Sequence, residues 1–377
     1  MSLRIDAIDL HDNRARNLFA DMPACLYRGM AGFAPPLRMD ERPVLDPARN
    51  PFLRDNPVRA FIAWRGDRPA GRITAQRVLA HEEKYGFGTG FFGYADWADD
   101  SAIADALLDE AQGWLRAQGC RTMQGPYSFS INHVCGVQSD GFGSLSFIKT
   151  PYHPPYVVRQ MKRAGLYTVR RLVCAVHDTA QGDFDARYHA LAAKWHNRAR
   201  LTLQPLTRKT LPQARDVMAD IYNDAYHDNW NAIPTNDAEA KFIYDLMGPI
   251  IYDGWAVIAH WDGKPAGMIV QIPNLDEAPR FANGMTGPRL IYKLLAKKWH
   301  SSRVPLICVR RELHGTRAGA MMASALMAHM VSTARKAGVG KVEISWMLDD
   351  NYPVLNLVGG LPAQTSKGYA ILERQIA

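Results

Sequence analysis

No run of about 18 consecutive apolar residues occurs in the chain, so a membrane-spanning helix is not expected. The first 30 residues carry Arg4, Asp6, Asp9, Asp12, Arg14 and Arg16 in place of the apolar core of a secretion signal, which leads to the expectation of a cytoplasmic protein. CxxC spacing is missing too. The five cysteines (Cys25, Cys120, Cys135, Cys174 and Cys308) are scattered and odd in number, which argues for reduced thiols and against a disulfide scaffold or a zinc site. No metal is expected. No nucleic-acid-binding motif accompanies the net charge of +8, and nucleic acid is not expected as a partner. The charge instead favours an anionic cofactor, an acidic protein or a membrane surface.

What is present is a repeat. Ala63-Trp64-Arg65-Gly66-Asp67-Arg68-Pro69-Ala70-Gly71-Arg72-Ile73 returns as Ala259-His260-Trp261-Asp262-Gly263-Lys264-Pro265-Ala266-Gly267-Met268-Ile269. Each passage reads as strand, turn, strand. A second echo follows, in which Gly119 and Gly338 each end a helix-like stretch before a strand-like run, an asparagine (Asn132 or Asn351) and a glycine (Gly141 or Gly360). The 377 residues suffice for two domains of ordinary size. We therefore expect one fold used twice, in domains spanning 1–180 and 201–377.

Each copy has the same outline. After a helix from Ala15 to Tyr27 and a Pro-rich entry, alternation and turn chemistry place a hairpin at 58–78. Ile103, Leu107, Ala111, Trp114 and Leu115 share a helical face, and a strand starts at Thr122–Gln124. The second copy follows a linker near Thr179–Asp183 and a polar helix to Arg200. Its hairpin falls at 255–272. A helix over 319–337 turns Met322, Ala325, Leu326 and Met330 to one side, and Lys341–Leu348 is a strand. Antiparallel strands, a helix and a further strand make an α+β plan.

The copies diverge between strand and helix. The second has Val309-Arg310-Arg311-Glu312-Leu313-His314-Gly315-Thr316-Arg317-Ala318-Gly319, a small and basic turn whose successive N–H groups and helix N-terminus suit a pyrophosphate. A solvated basic turn that only starts a helix would read alike. The first copy has Ala95-Asp96-Trp97-Ala98-Asp99-Asp100-Ser101, acids that cap a helix and repel phosphate. The donor site is thus expected in the second half. In the first half, Tyr127, Ser128, Ser130, Asn132, His133, Cys135 and Asp140 crowd polar groups between Gly-rich turns, a density that suits a pocket. His133 is a candidate base because imidazole titrates near neutrality. Cys135 is two residues away on an extended segment, so the two face opposite sides and covalent catalysis is the weaker option.

Strand, His314–Gly319 turn, helix, strand and Asn351 resemble the acyl-CoA site of the GNAT acyltransferase superfamily. Two of that motif's three fixed positions, filled here by His314 and Arg317, depart from it. The first half resembles a bacterial group of tandem GNAT-like proteins that includes the bacterial ceramide synthases. It does so through Gly90-Phe91-Phe92-Gly93-Tyr94, Gly125-Pro126-Tyr127-Ser128-Phe129-Ser130-Ile131-Asn132, Cys135-Gly136, Asp140-Gly141-Phe142 and Pro151-Tyr152-His153-Pro154-Pro155-Tyr156. The resemblance implies tandem GNAT folds with mixed, mainly antiparallel sheets flanked by helices. It implies direct transfer from acyl-CoA, or an acyl carrier protein thioester, to an amine, with no tightly bound cofactor. Val309 N–H would polarise the thioester carbonyl, and Arg310, His314, Gly315, Thr316, Arg317, Ala318 and Gly319 would meet the phosphates. Asn351 would contact the thioester, though a plain helix cap is an equal reading, and Tyr352 would be the acid. Asn132 and His133 would complete the catalytic set, with Tyr127, Ser130, Cys135, Asp140 and Tyr152 around the acceptor. Fatty acylation of a sphingoid base is the expected reaction. Acetylation of a polar amine or peptide, and a non-catalytic acyl-CoA or lipid-binding module, are the alternatives.

The second copy also has 23 more residues between hairpin and helix than the first. They include Arg289–His300, in which Leu290, Ile291, Leu294 and Leu295 share one face and Lys293, Lys297 and His300 mark another. Such a helix can lie on an anionic membrane, meet an acidic carrier, or pack ordinarily. A lipid amine as substrate, and peripheral attachment to the inner face of the membrane, would make use of it.

Overall fold

The structure is a computed structural model that describes residues 2–144, 146–194, 198–278, 281, 284–361 and 363–376. Both Pro-Ala-Gly passages are hairpins. Their turns need left-handed backbone, which Gly66 supplies at φ +60° and Asp262 and Gly263 supply at φ +50° and +76°. The glycine of each Pro-Ala-Gly has a different cause. A Cβ on Gly71 would lie 2.8 Å from Leu107 Cδ1, and one on Gly267 would lie 2.8 Å from Met322 Sδ. In both copies, then, this letter of the repeat is set by a helix seated directly on the strand.

The chain forms two compact units, Met1–Leu172 with Pro279–Ile291 and Lys367–Ala377, and Val173–Ala278 with Tyr292–Ser366. In chain order the first contains β1 (Leu3–Ile8), α1 (Asn13–Leu26), α2 (Arg38–Val44), α3 (Pro51–Asp55), β2 (Val58–Arg65), β3 (Arg68–Gln76), α4 (Leu79–Tyr85), β4 (Thr89–Trp97), α5 (Ser101–Ala117), β5 (Thr122–Gly125), β6 (Val137–Asp140), α6 (Pro155–Arg163) and the start of β7 (Tyr167–Asp178). The second continues with α7 (Phe184–Lys194), β8 (Leu201–Pro205), α8 (Leu211–Ala225), α9 (Asp237–Met247), β9 (Ala256–Trp261), β10 (Lys264–Pro273), the second half of α10 (Pro288–Ala296), whose residues up to Ile291 belong to the first, β11 (Ser301–Val309), α11 (Arg317–Lys336), β12 (Lys341–Leu348), α12 (Tyr352–Gly359) and the start of β13 (Ala363–Gln375).

The strand order is the same twice. β1-β2-β3-β4 is antiparallel and β5 joins β4 in parallel, just as β8-β9-β10-β11 is antiparallel and β12 joins β11 in parallel. The register repeats as well: Gly71 faces Trp97 and Gly267 faces Val309. Ala98 N–H donates to Ala70 O at 2.9 Å, and Arg310 N–H donates to Ala266 O at 2.8 Å. Trp97 and Val309 are therefore equivalent positions.

The units do not coincide with the expected spans 1–180 and 201–377. The end of β13 belongs to the first unit because Leu372–Gln375 pair with Gly125–Thr122 and Gly368–Ala370 pair with β6. Ladder pairing, which does not follow chain order, decides membership. In the first core Phe92, Trp97, Ile103, Leu107, Leu115, Met123 and Met161 are buried together. On α11 the expected Met322, Ala325, Leu326 and Met330 are all buried. Most of the inserted length lies between β10 and β11.

Candidate active site

The parallel strands of the second unit part company halfway. β11 and β12 pair from Ser301–Val304 to Lys341–Ile344 and no further. Pro305 follows, without an N–H to donate, and both strands run on for several residues beyond the last pair. Because Arg310 N–H is spent on β10, alternation points the N–H of Val309 to the other edge, toward this gap. Val309 is only half-buried. Ile307 O lies on the same edge and accepts from the Tyr226 hydroxyl at 3.0 Å. Burial holds that hydroxyl well above the usual phenol pKa.

The turn beyond Val309 is assembled by short bonds. His314 Nε2 donates to Val309 O at 2.7 Å, which fixes the proton on that nitrogen, since a carbonyl only accepts. Thr316 caps α11: its Oγ1 accepts from Gly319 N–H at 3.0 Å and donates to Leu313 O at 2.8 Å. A Cβ on Gly319 would press into the Leu313 carbonyl, so Gly319 is needed for close packing and its N–H is already used. The N–H groups of Gly315, Arg317 and Ala318 carry no hydrogen bond among the described residues. They sit at the positive end of a 20-residue helix, with Gly315 in left-handed backbone at φ +71°. No acid occupies the first turn.

Charge separates the arginines. Arg310 donates to Pro265 O at 2.9 Å and pairs with Asp220 of α8. Arg311 is held by Asp224 and Asp228, at 3.5 and 3.2 Å. The phosphate role expected of Arg310 thus meets competition from an ion pair. Arg317 is exposed and carries no ion pair among the described residues. A cation at a helix N-terminus opposes the helix dipole, so Arg317 is misplaced for stability and well placed for an anion. Changing Arg317 to proline removes its charge and its N–H together, yet proline suits the first helical position, and Thr316 is already extended at ψ 158°. We expect CoA affinity to fall about 10- to 100-fold, the loss of charge-assisted hydrogen bonds, with the helical circular dichroism unchanged. Calorimetric titration with CoA checks it.

Asn351 acts as the cap of α12, its Oδ1 accepting from Val354 N–H at 3.4 Å. Tyr352 opens that helix and is 67% exposed. Beneath the gap, Arg303 and Glu343 face each other in register, both fully buried, bridged by Ser345 Oγ at 2.8 Å from each.

The first unit closes the corresponding place. β4 and β5 pair over Thr89–Phe91 and Thr122–Gln124. The chain then folds back so that Tyr127 N–H donates to Phe92 O at 2.7 Å. The Tyr127 carbonyl occupies the space a side chain on Gly93 would take. Trp97, the counterpart of Val309, is wholly buried, its carbonyl accepting from the Tyr156 hydroxyl at 2.7 Å and its indole donating to Gln160 at 2.7 Å. Asp100 caps α5 and pairs with Arg65. The space beside Gly93 is thus filled, and an acid stands at the helix start.

The polar loop of the first unit is largely bonded to itself. Tyr127 is buried and donates to Gln124 at 2.9 Å; Ser130 Oγ lies 2.9 Å from His133 Nδ1; and Asn132 N–H reaches Ser130 Oγ at 3.3 Å. Cys135 is buried, Asp140 is exposed beside Ser139, and Tyr152 donates to Ala31 O at 3.1 Å. His133 departs from the near-neutral value expected of it. Burial, with Lys149 adding to it, lowers its pKa to about 4. The ring is neutral at pH 7, and a weaker base than a free imidazole.

The inserted helix also differs from expectation. α10 stops at Ala296. Leu290 is buried, but Ile291 and Leu295 are exposed, and Lys293 turns inward to Glu277 at 2.6 Å. Sequence reasoning missed Tyr226, just past α8, which no motif marked.

No protein-family profile matches the chain. It is 28% identical over 362 residues to protein YghO of Escherichia coli (strain K12), covering 95% of this chain and 92% of that one. It is 28% identical over 366 residues to the bacterial ceramide synthase of Caulobacter vibrioides (strain NA1000 / CB15N), covering 95% and 94%. Among solved structures, a tandem GNAT protein from the clavulanic acid biosynthesis pathway superposes with a TM-score of 0.59 at 14% identity, covering 100% of this chain and 99% of that one. The GCN5-related glucosamine N-acetyltransferase region of a fungal multi-domain GH3 β-N-acetylglucosaminidase gives 0.60 at 13% identity, covering 99% of this chain and 38% of that one. The chain thus has the fold of a tandem GNAT protein and is similar over almost its full length to a bacterial ceramide synthase.

Proposed function

We propose that the chain is an acyl-CoA-dependent N-acyltransferase that transfers a fatty acyl group to the amine of a sphingoid base. One observation carries the acyl-transfer part. Among the described residues, the second unit combines an open gap between parallel strands, a strand N–H facing that gap, and a helix start with three N–H groups that carry no hydrogen bond and Arg317. In this reading Val309 N–H polarises the thioester carbonyl, the neutral amine attacks it, and CoA leaves as the thiol. The diphosphate rests on Gly315, Arg317 and Ala318, while His314 holds the strand end through Val309 O. An acyl carrier protein thioester would use the same gap.

The lipid part is supported by the name of the Caulobacter relative and by α10, whose exposed Ile291, Tyr292 and Leu295 stand among the exposed Arg289, Lys297 and Lys298. Such a surface suits an anionic bilayer, and we assign the protein a cytoplasmic, peripheral location. No helix among the described residues is long and apolar enough to cross a membrane.

Purified protein given sphinganine and fatty acyl-CoAs of several chain lengths should release free CoA and form the amide. Absence of product at every length would refute the substrate. Product only with acetyl-CoA and polar amines would favour the acetyltransferase alternative.

A further inference from the structure

Side chains engage the backbone of β11 along the edge that faces the gap. Ile307 O accepts from the Tyr226 hydroxyl at 3.0 Å, and Val309 O accepts from His314 Nε2 at 2.7 Å. Arg311 N–H, just past the strand, donates to Asp224 Oδ2 at 3.0 Å. Between these bonds Val309 N–H carries no hydrogen bond among the described residues. A backbone donor left unpaired among satisfied neighbours is uncommon, and it stands ready for an acceptor atom on a ligand.

Two of the three side chains come from one place. Asp224 lies in the last turn of α8, and Tyr226 directly follows that helix. Their partners flank Val309 in the chain, Ile307 before it and Arg311 after it. The same end of α8 is moored to the strand end by charge as well, because Asp220 pairs with Arg310, and Asp228 with Arg311 at 3.2 Å. The Tyr222 ring packs on that of Tyr226 with centroids 4.9 Å apart, which restricts where the hydroxyl can go.

The sheet itself does not supply this restraint. The last pair between β11 and β12 is Val304 with Ile344, so beyond it no neighbouring strand fixes the gap-side edge of β11. β10 holds only the other edge. Across the gap on β12, the carbonyl of Ser345, just past the last pair, is likewise met by a side chain, Arg303 Nη2 at 3.2 Å. Where strand pairing ends, side chains take over the backbone groups.

We infer that Tyr226 and Asp224 are positioning residues for acyl transfer: by holding Ile307 O and Arg311 N–H they set the direction of the unbonded Val309 N–H that receives a thioester carbonyl. The inference deepens, and rests on, the proposed transfer from acyl-CoA. Neither residue belongs to the expected catalytic or binding set, and neither has to touch substrate. They matter because a donor aimed in advance costs no reorganisation during reaction, whereas a displacement of about 1 Å can cost 10²-fold in rate.

The test uses the full chain and dodecanoyl-CoA carrying 13C at the thioester carbonyl. In the wild type the bound carbonyl should absorb at lower infrared frequency than the free thioester, because a hydrogen bond polarises it. In Tyr226→Phe and in Asp224→Ala most of that shift should disappear. Turnover with sphinganine should fall about tenfold in each, the effect of one neutral hydrogen bond on a barrier, without loss of CoA affinity. Asp224→Asn, whose carboxamide oxygen still accepts from Arg311 N–H, should recover the infrared shift and turnover to within threefold of wild type. An unshifted carbonyl in the wild type, or a shift that survives both Tyr226→Phe and Asp224→Ala, overturns the inference. Turnover and CoA affinity falling together would mean a general structural role and overturns it too. If Tyr226→Phe does not fold, equal losses in Asp224→Ala and Asp224→Asn overturn it. The two readings separate cleanly. A carbonyl shift that depends on Tyr226 and Asp224, with no amide formed by the wild type, refutes the acylation and keeps the positioning. Amide formation with a shift indifferent to both residues refutes the positioning and keeps the acylation.

Discussion

Replacing Val309 by proline is expected to lower turnover by about 10²–10³-fold, the cost of removing one oxyanion donor, while CoA affinity changes little. The reason is geometric. Val309 N–H is the strand donor at the end of β11 that faces the gap, and β10 does not use it, since Met268 and Cys308, and then Ala266 and Arg310, carry the ladder on the other edge. Proline therefore removes a candidate oxyanion donor without removing a sheet bond, and the extended residue before it is compatible with proline. The anion site lies beyond, on Gly315, Arg317 and Ala318. Steady-state kinetics and CoA titration of the same variant separate the two effects. Turnover within threefold of wild type would mean that another group polarises the carbonyl. Loss of CoA binding alongside turnover would mean that the strand end itself had moved.

Asp96→Ala is expected to destabilise the protein by about 3–5 kcal/mol, the range for breaking a buried pair by removing one partner. Arg72 is 4% exposed and Asp96 6%. The guanidinium donates from Nε to Asp96 at 2.8 Å and from Nη1 to Phe19 O at 2.7 Å, between the rings of Phe19 and Tyr94 at 5.1 and 4.9 Å. Without the carboxylate a full charge stays in a dry interior. The double change Arg72→Met with Asp96→Ala removes both charges and should recover much of the loss, because well-packed apolar replacements of buried pairs are often neutral. Urea unfolding of the three proteins reads this as midpoint shifts. A single variant as stable as wild type would show that water reaches the pair.

The repeat was legible because its letters answer to local physics: a turn needs Gly66 or Gly263, and a helix lying on a strand needs Gly71 or Gly267. The basic turn was legible as a helix start for a related reason, since Thr316 caps α11 and Arg317 opens it. Its internal division of labour was not. Asp220 and Asp224 engage Arg310 and Arg311 from almost 90 residues away, and Thr316 consumes the N–H of Gly319; neither follows from spacing. The bonding of the crowded first-copy loop was likewise not legible. Tyr127, Ser130, His133 and Asn132 are dense in polar groups, but they bond largely to one another and to Gln124, and the segment closes the very gap that the second copy leaves open. The exchange of β13 into the first unit likewise depends on a strand edge that only the folded sheet presents.

The central claim is that the donor occupies the second copy and not the first. Amide hydrogen exchange with and without CoA tests it directly. Exchange should slow at Val309, Gly315, Arg317 and Ala318 on CoA binding and stay unchanged at Ala98–Ser101. Protection at 98–101, or none at 315–318, would contradict the account.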